Sequence, residues 1–175
     1  MKRRRFITGG AIAAILTSAN TAWAKKKPQR AKFKVYNGPE VTGVIIYKKR
    51  RKMKLLHFGK PLREYDIDLG FAPKGHKLRE GDGRTPEGLY TINRDNPNSK
   101  YYLSLGISYP NSRDRARAEA AGVSPGGDIF IHGGPRYRGE RNKKDWTHGC
   151  ISVSDAEMED IFAMVKIGTP IMIHP

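Results

Sequence analysis

The chain has 175 residues, with 33 Lys or Arg against 17 Asp or Glu, a formal charge of +16 at pH 7 and one cysteine. Such charge suits polyanions, but no helix-turn-helix, zinc-finger or aromatic RNA-binding signature accompanies it, so nucleic acid is excluded as the expected partner. An anionic envelope polymer or membrane surface fits an exported basic protein better.

Export is read from the first residues. Lys2-Arg3-Arg4-Arg5 precedes an apolar run from Phe6 through Leu16 and a small-residue exit, Ala22-Trp23-Ala24, the three parts of a signal peptide. The run falls short of the roughly 20 apolar residues a membrane span needs. Residues 1–24 are therefore expected to be a cleavable signal peptide and the protein periplasmic, with no integral span after cleavage. Arg3-Arg4-Arg5-Phe6-Ile7 also resembles a twin-arginine signal, so the general secretory and twin-arginine routes both stay open. Cleavage takes away four basic and no acidic residues, leaving +12. Residues 25–40 read as a basic linker, and residues 41–175 are long enough for one domain with its own core.

In chain order, Val41 to Tyr47 is rich in β-branched residues and Lys52 to Phe58 can pair with it. The run Lys48-Lys49-Arg50-Arg51-Lys52 between them reads as a solvated hairpin turn. Tyr65-Asp66-Ile67-Asp68-Leu69 alternates apolar and polar, as a half-buried strand does. The glycines and proline of Gly81 to Gly88 make a loop feeding a strand over Leu89 to Asn93. Ser112 to Ala121 is an alanine-rich, charged helix that stops at Gly122. Asp128 to His132 is a short buried strand, followed by a loop from Gly134 to Trp146. Ser154-Asp155-Ala156-Glu157 is a capping box opening a second helix, whose Met158, Ile161, Phe162 and Val165 form a core-facing stripe. Pro170 to Ile173 closes the chain as a strand. The sum is a mainly β domain with two helices.

The chemistry centres on Cys150, in Thr147-His148-Gly149-Cys150, eighteen residues after His132 in Ile131-His132-Gly133-Gly134. A thiol is mostly protonated at neutral pH, so a nucleophilic cysteine needs a base. His148, two residues away, can share its face; His132 can approach only through the fold, if its strand runs beside the segment carrying Cys150. Gly149 suits a backbone that turns amide N–H groups into an oxyanion hole. Three other readings of the same residues stay open: a small buried hydrophobe, a zinc site from His132, His148 and Cys150, and an intermolecular disulfide.

The stretch from His132 to Cys150 resembles the signature of the L,D-transpeptidase catalytic domain family, the YkuD-like enzymes: His-Gly, a loop, then Ser/Thr-His-Gly-Cys. Gly83-Arg84-Thr85-Pro86-Glu87-Gly88-Leu89-Tyr90 is similar to that family's upstream Gly-x-Thr-Pro-x-Gly-x-Tyr segment. Ile107 to Arg115 and Asp145-Trp146 resemble its YafK-like murein branch, which includes members that cut bonds. The resemblance implies an L,D-transpeptidase-like β-sandwich of mixed sheets with peripheral helices, acting on peptidoglycan stem peptides without metal or organic cofactor. It implies Cys150 as nucleophile, His132 as base oriented by the Gly133 carbonyl, and the amides of Gly149 and Cys150 as oxyanion hole. Thr147, His148, Arg113 and Arg136 would line the substrate site. Transpeptidation through a Cys150 thioester is the expected activity; hydrolysis of a related murein amide, and a non-catalytic envelope-binding module, are the alternatives. Ser152 departs from the family pattern, which often has Asn or Arg there, so contacts to a substrate carboxylate are expected elsewhere.

Overall fold

A computed structural model describes residues 33–175; the expected signal peptide and its export route lie outside them. Among the described residues no helix is long and apolar enough to cross a membrane.

Among the described residues, eight strands form one mixed sheet in the order β3-β2-β1-β8-β4-β5-β6-β7. β1 (Gly43–Tyr47), β2 (Lys52–His57) and β3 (Lys60–Asp66) form an antiparallel meander. β8 (Pro170–His174) joins β1 in parallel and β4 (Gly88–Ser99) in antiparallel. β4 is long enough to serve two neighbours: its start pairs with β8 and its remainder with β5 (Tyr102–Ile107). β6 (Phe130–His132) follows antiparallel to β5, and β7 (Ile151–Ser152) parallel to β6. The chain beyond β3 then bridges to the far end of this order, Asp68 to Ser152 and Gly70 to Thr147. That return brings the two ends of the sheet together around one core, which includes Ile46, Leu55, Leu69, Ile92, Leu105, Ile131, Ile151 and Ile171.

The helices sit where their caps dictate. In α1 (Ser112–Ala120) the Asn111 side chain accepts from the Arg113 and Asp114 amides, and Asp114 answers by accepting from the Asn111 N–H. α2 (Asp155–Met164) opens on the expected capping box, Ser154 with Glu157, and buries Met158, Ile161 and Met164. Reciprocal capping satisfies amide groups that no helical turn can reach.

Several sequence expectations need correction. Tyr65, Ile67 and Leu69 do point into the core, but β3 starts earlier and ends at Asp66, because the chain leaves β2 there to bridge toward β7. β4 extends well past Asn93. β5, unassigned from the sequence, is buried on both faces over Leu103 to Ile107 and so lacks alternation to reveal it. Residues 33–40 have no regular structure, yet they dock: Lys34 Nζ donates to Asp160 Oδ1 at 2.5 Å, and Phe33 tilts against Phe162 at 6.3 Å.

The hairpin turn is not wholly solvated. Lys48 is only 2% exposed, and its ammonium donates to the carbonyls of Gly75 (2.6 Å) and Thr85 (2.8 Å) and to Glu87 Oε1 (2.8 Å). Burial pulls its pKa down while Glu87 opposes that shift. Three acceptors match three ammonium protons, which is how such a charge is tolerated inside a fold.

Candidate active site

The turn carrying Cys150 is shaped by one side chain and three glycines. Thr147, 3% exposed, donates its hydroxyl to the Cys150 carbonyl at 2.8 Å and accepts from the Gly149 N–H at 3.2 Å. Gly149 has φ +127°, and a Cβ there would lie 2.7 Å from the Arg84 carbonyl. Gly70 faces the same spot, where a Cβ would meet the Gly83 carbonyl at 2.1 Å and the Gly149 Cα at 2.8 Å. The Gly-x-Thr-Pro segment is thus the floor of the turn: Gly83 and Arg84 offer bare backbone, and the fully buried Thr85 accepts the Gly70 N–H at 3.4 Å.

Backbone bonds strap this turn to the segment after β3. Thr147 N–H donates to Leu69 O (3.1 Å), Phe71 N–H to Thr147 O (2.9 Å), and Asp68 and Ser152 exchange a pair (3.0 and 2.8 Å). Arg51 grips both oxygens of Asp145 at 2.8 and 2.7 Å, and Asp145 Oδ1 also accepts from the Leu69 N–H. A bidentate guanidinium on a carboxylate fixes orientation as well as distance.

His132 reaches the site as the sequence requires, through the parallel pairing of β6 with β7. Ser152 lies opposite His132, and alternation along the chain puts Cys150 on the same face. The imidazole is 4% exposed, and its Nδ1 donates to the Gly133 carbonyl at 2.6 Å. A carbonyl only accepts, so Nδ1 carries the ring proton and Nε2 is left as the basic atom. Burial pushes the His132 pKa below its ordinary value, against the Gly133 hydrogen bond that raises it. Burial also pushes the Cys150 thiol up to about 11, with the Phe130 N–H pulling the other way. The resting pair is a neutral thiol and a neutral imidazole. Cys150 is half-buried, and Sγ lies 3.5 Å from the Asp128 carbonyl.

The walls around His132 come from residues that sequence reasoning gave no role at the ring. Tyr101 lies against the imidazole with centroids 4.7 Å apart, and Trp146 meets it edge-on at 5.5 Å. The two aromatic rings touch each other at 5.4 Å. The Tyr101 hydroxyl donates to Glu140 Oε1 at 2.7 Å. Only Asp145-Trp146 carried a signal, through family resemblance; Tyr101 and Glu140 carried none.

The other expected site residues distribute unevenly. The Gly149 N–H, expected to face an oxyanion, is taken by Thr147, which leaves the Cys150 N–H without a hydrogen bond among the described residues. Thr147 itself is a buried turn-former, not a surface that substrate can touch. His148 is exposed and rests edge-on against Phe71 at 5.6 Å. Arg136 is committed to Asp155 (2.6 Å) and lies over the Tyr102 ring at 5.4 Å. Arg113 is on α1 beside a separate cavity of about 430 Å³, shared with His76, Glu87, Tyr90 and Arg117 and lined by neither Cys150 nor His132. Among the described residues, no three of His, Cys, Asp and Glu converge to hold a metal ion.

Known proteins place this architecture. The chain is 31% identical over 128 residues to "Putative L,D-transpeptidase YafK" of Escherichia coli (strain K12), covering 70% of this chain and 46% of that protein. It thus spans less than half the length of that relative. Its fold is similar to the helical cell shape determining protein Pgp2 from Campylobacter jejuni (TM-score 0.61, 27% identity, 79% of this chain and 49% of that one). Bd1075 of Bdellovibrio bacteriovorus shares the fold at TM-score 0.55 and 21% identity, over 77% and 48% of the two chains. The model of the YkuD family, the L,D-transpeptidase catalytic domain, matches residues 42–173, and the chain belongs to that family.

Proposed function

We propose that the protein is an exported peptidoglycan-modifying cysteine enzyme that forms a thioester at Cys150 with a diaminopimelate-containing stem peptide and passes the acyl group to an amine. Family membership supports the wall substrate. The observation that carries the mechanism is the β6–β7 pairing, which sets a tautomer-fixed, neutral His132 on the face that bears Cys150.

In this reading the thiol turns from the Asp128 carbonyl toward His132 Nε2 as substrate arrives; catalytic hydrogen bonds often tighten only then. Nε2 takes the thiol proton while the sulfur lone pair forms a bond to the amide carbon after the L-centre of diaminopimelate. The carbonyl π electrons move to oxygen, where the free Cys150 N–H stabilises the charge. Collapse breaks the C–N bond, and the imidazolium returns its proton to the departing D-alanine amine. The amine of a second stem then attacks the thioester, loses its proton through His132 and restores the thiol. Water in the same place gives hydrolysis. Because the resting pair is neutral, proton transfer accompanies attack and no thiolate is stored beforehand.

Pgp2 is named for determining helical cell shape; trimming or cross-linking of the wall by this protein would act on the same property. Lys49 and Arg50, exposed at the hairpin tip, suit anionic envelope polymers, and wall association that weakens as salt rises from low to physiological tests that part.

The decisive test is intact-mass spectrometry of the protein incubated with tetrapeptide muropeptides, beside Cys150→Ala. An adduct on the native protein alone, with D-alanine released and cross-linked dimers accumulating, is the expected result. D-alanine or another fragment without dimers makes the enzyme a hydrolase. No adduct and no product from any wall substrate returns Cys150 to a structural role.

A further inference from the structure

Glu140 sits in the loop joining the two halves of the motif, eight residues beyond His132 in sequence, and both its carboxylate oxygens are engaged. Oε2 accepts from the backbone N–H groups of Arg136 (2.9 Å) and Tyr137 (3.0 Å), so the carboxylate organises the loop that carries it. Oε1 accepts from the Tyr101 hydroxyl at 2.7 Å. Tyr101 comes from the distant β4–β5 turn, and its ring is the surface against which the His132 imidazole lies. Carboxylate, phenol and imidazole therefore form a chain that ends on the base. Tyr137, half of whose surface is exposed, closes edge-on over Tyr101 at 6.3 Å, and Lys100 lies over its ring at 5.0 Å.

We propose that Glu140 is a positioning residue for His132: acting through Tyr101, it fixes the plane of the imidazole, and its negative charge stabilises the imidazolium formed when the thiol proton is transferred. The inference rests on the cysteine-enzyme reading above and adds a side-chain carboxylate to a base whose Nδ1 is held by the Gly133 carbonyl. The proton passes from Sγ to Nε2 and later to the leaving amine; Glu140 and Tyr101 neither gain nor lose one. The need for a carboxylate is electrostatic. His132 is buried, an uncompensated imidazolium there is costly, and a fixed anion nearby lowers that cost without moving during reaction. The field of Glu140 does raise the His132 pKa, and His132 in turn lowers that of Glu140.

The other charged groups facing the ring oppose or complete this arrangement. Arg136, on the same loop, pulls the His132 pKa down, but Asp155 at the start of α2 binds its guanidinium at 2.6 Å. Tyr101 stays un-ionised, its pKa raised by burial first, then by Glu140 and Cys150. Cys150, which the β6–β7 register sets on the same face, is a thiol pushed up to about 11. Glu140 is thus the one anion of the loop whose partner touches the base directly.

Glu140→Gln and Tyr101→Phe test the proposal. Gln keeps an oxygen for the two loop N–H groups and presents its NH2 to the Tyr101 oxygen, which can accept it, so the loop keeps its shape while the charge goes. Tyr101→Phe keeps the ring against His132 and removes the link. The first readout is the NMR titration of His132 in the free, full-length protein, assigned with His132→Ala, which needs no wall substrate. The second is the rate of acyl-enzyme formation with tetrapeptide muropeptides.

The expected result is a His132 midpoint at lower pH in Glu140→Gln, a smaller move in Tyr101→Phe, and acylation slowed about tenfold in Glu140→Gln with KM little changed, a modest share of what a general base supplies. A midpoint equal to that of the native protein in both variants overturns the proposal, as does a lowered midpoint with an unchanged acylation rate. If the native protein itself forms no adduct, the enzyme reading fails, and the NMR midpoint still reports whether Glu140 and His132 are coupled.

Discussion

Cys150 and His132 lie on neighbouring segments of the β6–β7 edge, and their two surroundings are held by different means. On the Cys150 side the contacts are backbone against backbone: Gly70, Gly83, Arg84 and Gly149 approach too closely for any Cβ at Gly70 or Gly149, and ladder bonds tie Thr147 to Leu69 and Phe71. On the His132 side the contacts are side chains: Tyr101, Trp146 and Glu140 surround a ring anchored by one carbonyl. Close backbone contact has no smaller alternative, so errors on the first flank cost fold stability. Side-chain walls can be trimmed atom by atom, so errors on the second flank show as altered pKa and rate.

The strongest way to break this contrast is to add a methyl group to the first flank. Gly70→Ala and Gly149→Ala should each destabilise the domain by about 3 kcal/mol or more, from overpacking at Gly70 and overpacking plus a left-handed backbone at Gly149. Urea denaturation of both variants measures this, and a loss below about 1 kcal/mol would mean that the turn yields easily. Next in size is Lys48→Met, which leaves Glu87 and the Gly75 and Thr85 carbonyls without their shared donor. A cost of about 2–4 kcal/mol is expected, readable in the same melts.

The pH dependence sharpens the second flank. A buried imidazole with a lowered pKa binds its proton less readily folded than unfolded. Its contribution to stability is therefore complete above the unfolded value of about 6.5 and is lost as pH falls below it. Cys150, pushed up to about 11, works in the opposite direction: its contribution is lost as pH rises from the unfolded thiol range toward that value. Denaturation midpoints across pH should fall at both ends, with Cys150→Ala flattening the alkaline fall and His132→Gln the acid one. If the variants and the native protein trace parallel curves, neither group carries the dependence.

A smaller change is expected from Trp146→Phe, which shortens the edge contact to His132 and should cost about 1 kcal/mol in stability. Least of all should come from His148→Ala and Arg113→Ala, each within about 0.5 kcal/mol in stability and without effect on the His132 titration midpoint. His148 makes no hydrogen bond among the described residues, and Arg113 lies beside a different cavity. A His132 midpoint displaced by His148→Ala would place that side chain in the base's environment after all.

What was legible from sequence is what short range decides. Ser154 and Glu157 announce α2 because both capping bonds are made within one turn. Tyr65, Ile67 and Leu69 reveal their buried face because alternation belongs to any extended chain, whether its partner is β2 or the β7 edge. The His-Gly and Thr-His-Gly-Cys segments were readable as a pair, and their spacing suffices for β6 and β7 to meet in parallel.

β5 stayed hidden because burial on both faces erases its period. Lys48 was misread because nothing local says that the Gly75 to Glu87 loop will fold over its ammonium. The same holds for Gly149, whose amide was expected in an oxyanion hole until the Thr147 hydroxyl, itself held by the Cys150 carbonyl, was seen to occupy it.

The sequence by itself thus determined the helix starts, the buried face of the segment beyond β3 and the pairing of the His132 and Cys150 motifs, since each depends on residues a few positions apart or on a motif of fixed spacing. Only the tertiary structure decided what surrounds His132. Tyr101 comes from one hairpin and Glu140 and Trp146 from a loop far along the chain, and residues so separated meet only once the ends of the sheet have closed on a common core.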